Sequence, residues 1–226
     1  MNHALLALLA FPLMASAAPS SSFEKSCRDR LPAPQLTVVF EPAAPTFSQK
    51  YTVKELTARS KGPAWGQTLG QTDVKSLVEM KHGVTYLTNP RDGVSCVVPS
   101  LTLNISYVPM VVYVAKELAP GSCLYKEVLA HEMRHVSAYE AQRVWAKPQI
   151  EEFLLGVLAP GTMMMGKSDQ VTADITRILE KEYMPWIQKL IDTEPAHAQI
   201  DTKEEYSRLS SVCSMDIRTW RSDRSR

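Results

Sequence analysis

Between residues 36 and 115 the chain sets short β-branched and aromatic runs between Pro, Gly and Asn-Pro breaks. These runs are LTVVF (36–40), YTVK (51–54), VTYLT (84–88), LTLNISY (101–107) and VVYVA (111–115). Short runs of this composition bounded by turn residues predict strands. KGPAWGQTLGQ (61–71) reads as a glycine-broken loop, and DVKSLVEM (73–80) as a helical turn or a further strand. From residue 122 the period lengthens to 3.6. Ser122 is placed to cap a helix carrying Leu124, Val128, Leu129, Val136 and Val144 at helical spacing, running to about Ala146 and stopped by Pro148. EEFLLGVL (151–158) predicts a short second helix, PGTMMMG (160–166) a loop, and the stretch from Ser168 through VTADITRILEKEYMPWIQKLI one long helix. Pro195 breaks or restarts it before SRLSSVC (207–213). The fold class expected is α+β, a β-rich N-terminal half packed on a helical C-terminal half.

The ends add a location. MNHALLALLAFPLMASA is an apolar run closing on Ala15-Ser16-Ala17, so residues 1–17 read as a signal peptide and the protein as exported, periplasmic or secreted. Residues 18–35 read as a flexible N-terminal segment, 36–215 as a single domain and 216–226 as a tail. No later segment is apolar enough to span a bilayer. A formal net charge of +1 removes the electrostatic case for nucleic acid. Four cysteines, Cys27, Cys96, Cys123 and Cys213, remain after residue 17. In an oxidising compartment they predict two disulfides, with Cys96–Cys123 and Cys27–Cys213 the preferred of three pairings.

Candidate chemistry is concentrated in HEMRH (131–135). His131 and His135 are one helical turn apart and project from one face. Two imidazoles so placed hold one Zn²⁺ at about 2.0–2.1 Å from each nitrogen. Glu132, about a hundred degrees round the helix, reaches a metal-bound water without being a ligand. The metal lowers the water's pKa to about 7, and Glu132 takes the proton and passes it to the leaving amine. The third ligand is open. His197, Asp201 and Glu205 in PAHAQIDTKEEYSRL recur at i, i+4, i+8, with Glu205 preferred, His197 the alternative, and Asp201 or Thr202 read as a helix cap. Glu140 lies some 140° round from His135, and Glu180 and Glu182 are outside candidates. Tyr139 and Tyr206 are packing residues or oxyanion donors. Arg134 is solvated or paired with an acid of a neighbouring helix, and MMM (163–165) is adaptable core filler or a substrate-contacting loop.

AHEMRHVSAYE resembles the active-site helix of the zincin metallopeptidases. The layout of an exported β-rich half, a cysteine before a strand and an HExxH helix is similar to a group of bacterial secreted proteins regarded as metal-dependent peptidases of unknown substrate. That resemblance implies one zinc per chain and hydrolysis of a peptide or protein, with His131, Glu132 and His135 at the matching positions. No metzincin extension follows, since Ala141 is the sixth residue after His135 and the next glycine is Gly156. A gluzincin-like acidic ligand on a later helix is the closer pattern. The competing expectation is a non-catalytic exported binding module with a structural or vestigial metal site.

Overall fold

The computed structural model describes residues 22–60, 67–158 and 163–213. The expected signal peptide (1–17) and tail (216–226) lie outside the described residues. The fold is α+β, with a five-stranded sheet built largely from the N-terminal half and helices following it. Its spine is β4 (Ser95–Val114). β3 (Gly70–Thr88) pairs with β4 antiparallel along its length. β1 (Gln35–Phe40) and β2 (Pro45–Ser48) pair with it parallel, and β5 (Met164–Gly166) antiparallel at its start.

The period-two pattern explains which face is buried. Leu101, Leu103, Ile105 and Tyr107 are buried while Thr102, Asn104 and Ser106 between them are half-buried. Beyond Val108-Pro109 the buried set moves to Met110 and Val112, opposite a register slip in β3 between Val74 and Ser76. A one-residue slip exchanges the faces of a strand. Here it returns Met110 and Val112 to the cluster that Leu101–Tyr107 began. LTLNISY and VVYVA are therefore one long strand, and DVKSLVEM and VTYLT belong to its partner.

Helix α3 (Cys123–Val157) covers this core with Val136, Ala146, Ile150 and Leu154. It begins at the predicted cap, where Ser122 Oγ accepts from Tyr125 N at 3.2 Å, but it does not stop at Pro148. The missing N–H and the ring clash with the preceding turn act at Val144, which faces water, and burial of Ala146, Ile150 and Leu154 holds the helix together across the break. EEFLLGVL is thus the end of α3. The long helix from Ser168 is instead α4 (Ser168–Ile178), a π-helical turn (Leu179–Tyr183) and α5 (Met184–Leu190), the wider turn falling just before Pro185. α6 (Glu194–Ile200) and α7 (Lys203–Val212) follow. No helix among the described residues is long and apolar enough to cross a membrane.

Three further expectations are corrected. YTVK is not a strand: Thr52 caps helix α2 (Val53–Arg59), accepting from Glu55 N while the Glu55 carboxylate accepts from Thr52 N at 2.7 Å. Residues Ser22–Arg30, expected to be flexible, form helix α1. The cysteines pair as Cys27–Cys96 and Cys123–Cys213, not as Cys96–Cys123 and Cys27–Cys213. Extended chain from Cys96 to Val114 spans about 60 Å, which sets Cys96 and Cys123 at opposite ends of β4. α1 brings Cys27 to the start of that strand, with Cα atoms 6.2 Å apart, and α7 brings Cys213 to the start of α3, at 5.8 Å. Both bridges fit an oxidising environment.

Candidate metal centre

α3 presents His131, Glu132 and His135 inward, on the stretch that follows the buried apolar Leu124 and Val128 two turns and one turn earlier. All three are nearly sealed, at 5%, 4% and 8% exposure. Against them lies the segment of α6 and α7, running antiparallel to α3. The helical repeat expected across His197, Asp201 and Glu205 is interrupted at Asp201, because Thr202 starts a new helix by accepting from Glu205 N at 3.2 Å. That break turns Asp201 toward the histidines.

Three donor atoms converge. His131 Nε2 lies 3.1 Å from Asp201 Oδ1, His135 Nε2 lies 3.3 Å from the same oxygen, and the two Nε2 atoms are 3.3 Å apart. Ligand atoms about 2.0–2.1 Å from a tetrahedral ion stand about 3.3 Å from one another. The triangle therefore fits one small divalent ion as it stands, and two imidazoles with a carboxylate are a donor set that such ions accept. Asp201 is exposed while both histidines are buried, so the triangle is open to solvent at its Asp201 corner.

The remaining nitrogens orient the rings. His135 Nδ1 lies 2.8 Å from His197 Nδ1, and His197 Nε2 lies 3.0 Å from Thr193 Oγ1. With Nε2 of His135 directed at an ion, its Nδ1–H donates to His197, which donates onward to Thr193. Burial, and then the neighbouring His135, lowers the His197 pKa, favouring the neutral ring this chain needs. Glu205, the preferred third ligand from sequence, lies on the other side of His131: its Oε1 is 3.4 Å from Nδ1, not at Nε2. Arg208 and Arg134 bind it, the former at 2.9 Å, and together they hold its pKa down at about 2 against its partial burial. Burial opposes the charge on Asp201, but hydrogen bonds from His131 and His135 prevail and keep it well below the usual carboxylate range.

Glu132 is held apart from the triangle. Thr72 of β3 donates to its Oε2 at 2.8 Å, and burial raises its pKa, partly offset by the charges of His135 and the Thr72 bond. Tyr206 stands over the His131 ring at 6.2 Å, its pKa raised to about 12 chiefly by burial, so its hydroxyl remains a donor. Tyr139 packs between Tyr107 and His197. Glu140 turns away to Arg143, at 2.6 Å, and Glu180 and Glu182 are exposed on the π-helical turn. Arg134 does pair with an acid of a neighbouring helix, and Met164 packs on the core while Met165 is exposed. Thr72 and Gly70, both against Glu132, carried no signal in the sequence; Asp201 carried one, its helical spacing, and was read as a cap.

Fold and site together define a disulfide-braced α+β protein with a His131, His135, Asp201 group able to hold a metal ion. No protein-family model, curated protein or solved structure matches the chain, so the site is defined by its own geometry.

Proposed function

We propose that the protein is an exported zinc-dependent hydrolase of peptide bonds. The observation that carries this is the pairing of a tetrahedral-sized donor triangle with a buried carboxylate, Glu132, adjacent on the same helix but bound elsewhere by Thr72. His131 Nε2, His135 Nε2 and Asp201 Oδ1 would hold the ion. When bound, zinc polarises a scissile carbonyl and brings the pKa of water to about 7. Glu132 accepts a proton from the attacking water and delivers it to the departing amine. Its burial raises its proton affinity, as a base that must also carry the proton requires. Thr72 fixes the carboxylate through one oxygen. The Tyr206 hydroxyl is hydrogen-bonded to Asp201 and would orient that carboxylate toward the ion. The resemblance of AHEMRHVSAYE to the zincins supports the same reading, with an aspartate in place of the gluzincin-like glutamate.

The test is zinc content, zinc affinity and hydrolysis of labelled casein by the purified protein. Glu132→Gln keeps one zinc per chain and loses about 10²–10⁴-fold in rate. Asp201→Ala weakens zinc by more than Glu205→Gln, for which an outer-sphere role costs about 10–100-fold. A wild-type protein that takes up no zinc, or a Glu132→Gln variant with full activity, refutes the proposal.

A further inference from the structure

We infer that the Cys123–Cys213 disulfide holds the third metal ligand in place, so that metal affinity is linked to the oxidation state of this one bond. The inference rests on His131, His135 and Asp201 being the metal centre. α3 and the arm formed by residues 192–213 lie antiparallel in a regular register. Cys123 meets Cys213, Glu127 meets Arg208, His131 meets Glu205, His135 meets Asp201 and Tyr139 meets His197. Two ligands come from α3, which the core fixes, and the third from the arm.

Apart from the contacts of the site itself, Arg134 on Glu205 and His135 and Tyr139 on His197, little apolar packing holds the arm. α6 buries no side chain, and α7 buries Leu209 alone. The Arg208–Glu127 pair, at 2.7 Å, is between partly exposed side chains, where an ion pair contributes little. At its start the arm is anchored by Tyr107, whose hydroxyl donates to Ile191 O at 2.8 Å, and by Gln142, which donates to Leu190 O. At its end the anchor is the disulfide. Cutting that cross-link frees one end of the arm and restores conformational entropy that metal binding must then remove.

The two disulfides differ in access. Cys27 and Cys96 are both fully buried, whereas Cys123 is exposed. A thiolate must reach a disulfide sulfur to attack it. A dithiol reductant attacks Cys123 Sγ, the S–S bond breaks, and Cys213 leaves as a thiolate and takes a proton. The second thiol of the reductant then attacks the mixed disulfide and releases Cys123 as a thiol. Two electrons and two protons pass to the protein, and the reductant becomes a disulfide. Cys123 precedes His131 by eight residues of helix, about 12 Å, so the freed thiol does not itself reach the metal. Linkage is reciprocal: bound metal fastens the arm and protects the disulfide.

The experiment uses the full chain. Zinc affinity is measured by competition with a chromophoric chelator for three forms. These are the oxidised protein, the protein reduced at Cys123–Cys213 with a phosphine and alkylated (checked by peptide mapping), and Cys123→Ser/Cys213→Ser. Both open forms are expected to bind zinc at least tenfold more weakly while circular dichroism reports an intact sheet. At equilibrium in a dithiol redox buffer, half-reduction of wild-type Cys123–Cys213 is expected to need an at least tenfold higher reduced-to-oxidised ratio in saturating zinc, with no variant needed. Equal affinity in the open and closed forms, or an unprotected disulfide in zinc, overturns the linkage and leaves the metal centre standing. Failure of the oxidised wild type to bind zinc removes the metal centre and the linkage together.

Discussion

Replacing Gly70 with alanine isolates the contact between the sheet and Glu132. A Cβ at residue 70 would stand 2.6 Å from Glu132 Oε1, 2.7 Å from Val128 Cγ1 and 2.9 Å from Glu132 Cγ. Ordinary contact starts at 3.4 Å, so β3 and α3 must part by 3.4 − 2.6, that is 0.8 Å, unless a side chain yields. Val128 is buried against Leu124 and Val114 and has no long side chain to swing away. Glu132 can turn, at the expense of its bond with Thr72. Either response overpacks a close-packed seam, which costs about 1–3 kcal/mol. It also displaces Glu132, the base in the proposed mechanism, by somewhat under 1 Å, and a displacement of about 1 Å costs on the order of 10²-fold in rate. Gly70→Ala is therefore expected to lower the urea midpoint without changing the slope and to reduce casein hydrolysis by on the order of 10²-fold. Its zinc affinity should stay within about threefold of wild type, because none of the three donor atoms touches residue 70. A variant that unfolds at the wild-type urea concentration and hydrolyses at the wild-type rate would show that the close approach constrains nothing.

Two further substitutions probe the elements that position the arm. Tyr107→Phe removes the buried donor to Ile191 O and leaves that carbonyl unpaired, so stability should fall by about 1–2 kcal/mol in urea unfolding; an unchanged midpoint contradicts the anchoring role. Glu205 has a folded-state pKa depressed to about 2, chiefly by Arg208 and then Arg134, from an ordinary value of 4.5. Its stabilisation is present above the unfolded value and is lost as pH falls through the folded one. Wild type in chelator should therefore lose about 1–2 kcal/mol between pH 4.5 and 2 that Glu205→Gln does not lose, read from thermal midpoints across that range. Parallel curves for the two proteins refute the assignment.

Local signals in this chain were legible where one element supplies its own reason. The Ser122 cap, the apolar spacing of α3 from Leu124 to Val136 and the shared face of His131 and His135 all lie within one helix, and the structure keeps them, although Val144 faces water. The misreadings come from elements whose reason lies elsewhere. YTVK looks like a strand by β-branching, yet Thr52 and Glu55 satisfy each other's backbone donors and start a helix. Pro148 looks like a stop, yet Ala146, Ile150 and Leu154 are buried on both sides of it. Cysteine pairing depends on where α1 and α7 dock, which no spacing records. Asp201 lies on the expected face of its segment, but that it, rather than Glu205, meets the Nε2 atoms of His131 and His135 depends on the helix break at Thr202 and on Arg134 and Arg208 already holding Glu205.

The division of the site between a fixed helix and a pinned arm bears on what the ion does for the fold. Leu209 is the one buried apolar side chain of α7 other than the disulfide-bound end, and a buried leucine contributes about 1.5–3 kcal/mol. A metal at a hundred times its dissociation constant contributes about 2.7 kcal/mol to any state that binds it. An ion at that ratio and the burial of Leu209 are therefore of similar size. The covalent bridge at one end and the Tyr107 anchor at the other restrict the arm enough for Asp201 to meet His131 and His135 without a large ordering cost.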